Sequence, residues 1–205
     1  MLDRITPTNK SLILANLVVF VLQLALGQVF ENLFALWPPQ AALYGLPAFH
    51  VWQLLSYGFL HGGFAHLFFN MFALFMFGSD VERLFGPRRY LIYYLVSVIG
   101  AAAMHLIVVT AAHMQPLPTI GASGGIFGIL LAYGMAFPHR KLFVIPIPIP
   151  ISAWLFVTLY GALELYLGIT QTSQGVAHFA HLGGMATGFV LIRYWRAQQR
   201  RDERK

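Results

Sequence analysis

Charge is missing from most of this chain. Between Glu31 and Asp80 lie 48 residues without an Asp, Glu, Lys or Arg, and between Arg89 and Arg140 lie 50 more. From Leu142 to Ile192 the sole charged side chain is Glu164. A soluble domain of 205 residues has a wide wet surface to cover. About 25% charged residues is usual for that task, whereas here 10% are charged and 58% hydrophobic. Uncharged stretches this long suit a bilayer, where about 20 apolar residues make one helical span. The expected fold class is an all-α membrane protein with several spans.

Candidate spans fall at 11–27, 62–80, 89–110, 121–138, 151–169 and 177–195, a six-transmembrane-helix bundle. Breaker residues separate them: Gly86-Pro87, Pro116 and Pro118, Pro138, and the run Pro146, Pro148, Pro150. The first span follows Arg4 and Lys10 and resembles a signal peptide ending near Gly27. Because five more spans follow, an uncleaved span is the preferred reading. In this scheme residues 1–10 are a short cytoplasmic N-terminus, 11–195 the membrane domain and 196–205 a basic cytoplasmic tail.

All 13 Lys and Arg residues fall on one side of that scheme. The loops 28–61, 111–120 and 170–176 contain none, so by the positive-inside rule they face outward and both termini are cytoplasmic. The expected location is a plasma (inner) membrane. The net charge of +6 reflects these anchors, which touch anionic lipid, and does not point to nucleic acid. With no cysteine, a disulfide framework, a thiol nucleophile and a thiolate metal site are excluded. The long first outer loop, 28–61, carries Phe30, Phe34, Trp37, Tyr44, Trp52 and Tyr57 among three prolines. It is too broken to span and too apolar to sit wholly in water, which makes it an interfacial or partly inserted segment of the outer leaflet.

The second, fourth and sixth spans all enter from the outside, and each opens on polar or small residues. The second begins His61-Gly62-Gly63-Phe64-Ala65-His66, with Asn70 one turn on. The fourth begins Gly121-Ala122-Ser123-Gly124-Gly125, and the sixth His178-Phe179-Ala180-His181-Leu182-Gly183-Gly184. Polar groups at membrane depth are costly and usually functional, and three such clusters share one depth. Ser123 sits in a Gly-x-Ser-x-Gly sequence. The bland reading is small-residue helix packing, for which Gly124-x-x-x-Gly128 and Gly184-x-x-x-Gly188 also speak. The two are compatible, since close backbones bring a serine within reach of a base.

His181 is the preferred base: it shares a helix face with Gly184 and Gly188, the face expected to meet the fourth span. His178 is a supporting or interfacial residue. His105 and His113, in or beyond the third span and apart from a catalytic partner, are expected to be satisfied or interfacial histidines without chemistry. His66 and Asn70, four residues apart, are candidate donors to an oxyanion together with the Ser123 N–H. Their bland alternative is interhelical glue. A metal site of His61, His66, His178 and His181 is disfavoured, lacking His-Glu-x-x-His and any nearby outer carboxylate. No cofactor or metal is expected. No acid is obviously set to complete a triad, so a Ser–His dyad is expected, and Glu164 is the residue that would change this.

These residues together resemble the rhomboid family of intramembrane serine proteases, from roughly Trp52 to Gly188. Gly121-Ala122-Ser123-Gly124 matches the family's nucleophile motif, His181-Leu182-Gly183-Gly184 its base motif, and His61, His66 and Asn70 its run on the second helix. The resemblance implies a rhomboid-like bundle that cleaves transmembrane substrates near their outer ends, with Ser123 as nucleophile and His181 as base. It implies that the Ser123 N–H, His66 and Asn70 form the oxyanion hole, and that Phe127 packs on the base. Single-span membrane proteins are the implied substrates and lipids the other partners. Where the family usually has Trp-Arg in the first outer loop, this chain has Trp52-Gln53, which withdraws an ionic anchor. Glu82-Arg83 with Gly86 resembles the family's cytoplasmic end of helix two, a structural contact. The rival readings are a catalytically inactive rhomboid-like adaptor that binds membrane helices, a transporter, for which no inverted repeat is visible, and a metal-dependent membrane hydrolase.

Overall fold

The computed structural model describes residues 5–143, 149–170 and 177–204. Arg4, Lys205, Pro146, Pro148 and the loop 171–176 lie outside the described residues. The chain is built on helices: α1 (Pro7–Leu26), α2 (Gln28–Phe34), α3 (Gln53–Ser56), α4 (Phe64–Ala73), α5 (Ser79–Phe85), α6 (Pro87–Ala111), α7 (Ser123–Ala136), α8 (Ala153–Thr170) and α9 (His178–Asp202). A short exception is the pair of three-residue strands β1 (Lys141–Phe143) and β2 (Pro150–Ser152), paired antiparallel with Leu142 opposite Ile151.

Among the described residues, four rods are long and apolar enough to cross a membrane: Pro7–Leu26, Phe64–Phe85, Pro87–Ala111 and Ala153–Thr170. α7 is apolar but has only 14 residues, about 21 Å of helix against a hydrocarbon core of about 30 Å. It starts at the turn made by Gly121 and ends before Pro138. α9 has 25 residues, but Arg193, Arg196, Arg200 and Arg201 occupy its second half. It runs unbroken through Asp202, so no structural break separates the basic tail from the bundle.

The rod Phe64–Phe85 is continuous because α4 and α5 are joined by a π-helical stretch, Leu74–Gly78. Its cause is a side chain inserted into the backbone ladder: Asn9 Nδ2 donates to the Leu74 carbonyl at 2.9 Å. The same rod caps α1. Glu82, buried, accepts from the Thr8 and Asn9 backbone N–H groups at 3.1 and 2.7 Å. A carboxylate thereby meets the donor end of a helix whose first turn carries no acid of its own. This gives the Glu82-Arg83-Gly86 segment its structural role.

α6 is the central rod, packed most extensively on α9 and α7. Small residues set the spacing. A Cβ at Gly124 would meet Ala101, one at Gly128 would meet Ser97, and one at Gly188 would meet the Tyr93 ring. Gly188 therefore faces α6 and not α7, because α9 is wedged between the two. Polar and bulky groups point inward, with Tyr90, Tyr93, Tyr94 and Ser97 fully buried. Large aliphatic and aromatic residues such as Val18, Val21, Phe68 and Ile169 are exposed. That distribution suits lipid as the surrounding solvent.

The segment between α1 and α4 folds on its own cluster of Ala35, Trp37, Ala41 and Leu60. Gln53 is fully buried there. Its Oε1 accepts from the Trp37 and His50 N–H groups at 3.3 and 3.2 Å, and its Nε2 donates to the Leu33 and Ala48 carbonyls at 3.3 and 3.4 Å. The anchor expected to be lost with arginine is replaced by a neutral amide that ties four backbone groups. An amide suits the place, since it has both donors and acceptors and no charge to desolvate.

Candidate active site

Ser123 is the first residue of α7, held by the turn before it. Gly121 has φ +135°, and a Cβ there would come within 2.8 Å of the His66 ring; both facts require glycine. The Gly121 N–H donates to the Tyr57 carbonyl at 2.9 Å, and the Tyr57 hydroxyl donates to the Val98 carbonyl at 2.8 Å. The start of α7 is thus tied to α6 through one buried tyrosine.

His181 lies in the first turn of α9. Its Nε2 stands 2.7 Å from Ser123 Oγ. The approach is possible because Gly184 has no side chain: a Cβ there would press on the Gly124 backbone, 2.8 Å from its carbonyl carbon and closer to the oxygen. Phe127, one turn into α7, stacks on the His181 ring with centroids 4.3 Å apart and planes at 6°. Tyr160 packs against Phe127, with centroids 4.7 Å apart, and lines the same cleft. Ser123, His181, His66, Asn70, Gly121 and Phe127 all line one cleft of about 350 Å³.

The other residues singled out by sequence are distributed around that cleft. His66 is half-buried, with Nδ1 accepting from the Gly62 N–H at 3.2 Å. Asn70 is buried and donates one N–H back to the His66 carbonyl at 3.0 Å, leaving its second amide hydrogen for another acceptor. His61 is buried behind them, edge-on to His66 at 5.1 Å. Its backbone is clamped by Gln23 of α1, which accepts from its N–H and donates to its carbonyl, both at 2.9 Å. His105 is a satisfied histidine: its Nε2 is 2.7 Å from Thr119 Oγ1, and Thr119 pairs by backbone with Leu36. That histidine pins the strand-like segment leading into α7.

Glu164 is the functional neighbour that sequence reasoning left unassigned. Its Oε2 lies 2.8 Å from His181 Nδ1 and 2.7 Å from His178 Nδ1, and all three side chains are buried. His178 is thus an interior partner of the acid and not an interfacial residue. A lone carboxylate in an otherwise uncharged stretch signalled a buried partner; the sequence did not reveal the rotation of α8. The stripe Gly161, Glu164, Gly168 faces α9, with Cβ positions at the two glycines meeting Met185 and the Phe179 ring. Among the described residues, Glu164, His178 and His181 are the group whose donor atoms fall within 4.8 Å of one another, and His61 and His66 are outside it. As they stand, the atoms are at hydrogen-bond spacing. Zinc bonds of about 2.0–2.1 Å in tetrahedral array would need them farther apart.

A serine hydroxyl on a stacked imidazole, sunk in an apolar helical bundle, defines a class: membrane-embedded helical proteins with hydrolase-like site geometry. Comparison with known proteins narrows this. The Rhomboid domain model matches residues 48–198. The chain is 36% identical over 140 residues to "RHOMBOID-like protein 4" of Arabidopsis thaliana, covering 68% of this chain and 33% of the relative. It is 34% identical over 140 residues to "Rhomboid protease GluP" of Bacillus subtilis (67% and 25%). It is 30% identical over 139 residues to "Rhomboid protein 1, mitochondrial" of Saccharomyces cerevisiae (67% and 40%). The matched region spans a quarter to two fifths of these relatives' lengths. This chain belongs to the rhomboid family and is a multi-pass membrane protein.

Proposed function

We propose that this protein is an intramembrane serine endopeptidase, with Ser123 as nucleophile and His181 as general base. The observation that carries the reading is the 2.7 Å contact between Ser123 Oγ and His181 Nε2, made beneath the Phe127 ring. His181 takes the hydroxyl proton as Oγ attacks a peptide carbonyl; the acyl-enzyme is then hydrolysed by water. The developing oxyanion is met by the Ser123 N–H, unpaired within the helix because it opens α7, and by His66 and Asn70, which line the same cleft.

Six spans with both termini in the cytoplasm accord with the one-sided distribution of Lys and Arg. The site then lies toward the outer leaflet of a plasma (inner) membrane, where water reaches it. Substrates are single-span membrane proteins that enter from lipid and unwind locally, because a helical carbonyl is already hydrogen-bonded and shielded. Relatives named as proteases, such as that of B. subtilis, support this reading over an inactive helix-binding adaptor. The test is incubation of the purified protein and its Ser123→Ala form with a single-span substrate in liposomes, with and without chelator. Cleavage that survives chelator and vanishes with Ser123→Ala is expected; cleavage by the Ser123→Ala form refutes the proposal.

A further inference from the structure

We infer that Glu164 is a positioning residue for the base, so that the working unit is a Ser123–His181–Glu164 triad braced by His178. The inference rests on the serine-protease reading and deepens it. Two imidazoles point their Nδ1 atoms at one carboxylate oxygen, at 2.7 and 2.8 Å. An ionised Oε2 has no proton and accepts from both, which requires each histidine to carry hydrogen on Nδ1. In neutral His181 that leaves Nε2 bare, and Nε2 is the atom facing Ser123 Oγ. The acid therefore selects the one tautomer in which His181 can receive the serine proton.

The remaining freedom of the ring is removed by two contacts at right angles. Phe127 stacks flat on it, at 6° between planes, and fixes the plane. Glu164 fixes rotation within that plane. His178 meets His181 edge-on, with 89° between rings, and supplies the second donor to Oε2. Glu164 is 4% exposed, and a carboxylate so buried needs compensating donors; here both are the working histidines. Gly168, one turn along the same face of α8, lets α8 approach α9, for a Cβ there would stand 3.1 Å from the Phe179 ring and 3.3 Å from His178 Cβ.

The proton path balances with Glu164 unprotonated throughout. As the Oγ–C bond forms, the Oγ proton passes to His181 Nε2, and the imidazolium faces the carboxylate. As the C–N bond breaks, that proton leaves with the amine nitrogen. Water then repeats the sequence, its proton passing through Nε2 back to Oγ as the acyl bond breaks. The Nδ1 proton stays on His181.

The test uses the full chain in liposomes with a single-span substrate, alongside labelling of Ser123 by a small fluorophosphonate and thermal unfolding. The ionisable groups facing His181 are Glu164 and Tyr160 on α8, His178 on α9 and His66 on α4, so each variant is followed across pH. Glu164→Gln keeps shape and one acceptor but removes the charge. It is expected to lower kcat by about 10²–10⁴-fold at little change in KM, as loss of the acid does in other triads. The acid limb of the profile is expected to move to lower pH, because the amide no longer favours imidazolium; Glu164→Asp should recover part of kcat. Retention of kcat within about threefold by Glu164→Gln, with Ser123→Ala inactive, overturns the triad and leaves the protease reading standing. Loss that tracks lowered thermal stability with an unmoved acid limb overturns it in favour of packing. Chelator-sensitive activity overturns it in favour of a metal at the same three residues. Cleavage by Ser123→Ala overturns the protease reading itself.

Discussion

Gly184→Ala tests whether helix spacing, and not the chemistry of the side chains alone, creates the site. The added methyl would lie 2.8 Å from the Gly124 carbonyl carbon and closer to its oxygen. The neighbour is backbone and has no rotamer to yield, so α7 and α9 must part. Ser123 is carried on one and His181 on the other, and their contact is now 2.7 Å. A separation on the order of 1 Å takes the pair out of hydrogen-bond range, and misplacement of that size costs about 10²-fold in rate. The overpacking itself costs about 1–3 kcal/mol, visible as a lower Tm in detergent. The assay is the initial rate of substrate cleavage in liposomes well below that Tm, with fluorophosphonate labelling of Ser123 as a substrate-independent readout. Gly161→Ala is the control: its methyl would meet only the flexible end of Met185, at 3.2 and 3.5 Å, and Met adapts. Gly184→Ala with unchanged rate and unchanged Tm would refute the claim that this contact sets the Ser123–His181 distance.

Other outcomes follow from the same geometry. Asn70→Ala and His66→Ala each remove one of the three proposed oxyanion donors and should lower kcat by about 10²–10³-fold with Tm little changed; losses that scale with Tm would make them packing residues. Phe127→Ala removes a stacked ring worth about 0.5–1.5 kcal/mol and should slow turnover by about 2–10-fold, with Phe127→Tyr near normal; an unaffected Phe127→Ala rate would show that stacking does not hold the base. Glu82→Ala leaves the Thr8 and Asn9 N–H groups at the α1 terminus without their charged acceptor, costing about 1–3 kcal/mol of stability by thermal unfolding, while the folded fraction keeps its specific activity. Lowering the pH should depress cleavage, because a protonated imidazole cannot accept from Ser123; a rate flat through the acid range, with chemistry limiting, would argue against a histidine base.

Much of this was readable from residues alone, for identifiable reasons. The uncharged stretches gave helices because lipid leaves the backbone no other partner. Gly124, Gly125, Gly183 and Gly184 announced close helix contact, because a Cβ at any of them would overlap a neighbour. Glu164 was harder: an isolated acid near a helix end can equally reach the interface, and periodicity is weak in a helix apolar on every side. Its partner was decided by the rotation of α8, which Gly161 and Gly168 set. Gly188 was assigned to α7 on spacing and lies on α6, because small-residue motifs state that a neighbour is close without naming it. The π stretch was invisible, since it arises from Asn9, some 65 positions away from Leu74. Gln53 for arginine read as a loss because a pair pattern does not display the four backbone groups awaiting an amide.

The attachment of α1 has a consequence for how the site keeps its shape. Only 28% of its best apolar window is buried, and lipid competes on equal terms for the rest. What secures it are two polar rivets, Glu82 to Thr8 and Asn9 at one end and Gln23 to His61 at the other, about 21 Å apart along the helix. Both rivets engage the chain that carries His66 and Asn70. α1 is in effect a splint, and its grip rests on groups that the protein itself closes off: Asn9, Gln23, His61 and Glu82 are all buried, so loosening α1 would strand amides and a carboxylate without their partners. Loosening α1 should therefore cost registration first at the splinted end of the cleft, where His66 and Asn70 follow His61.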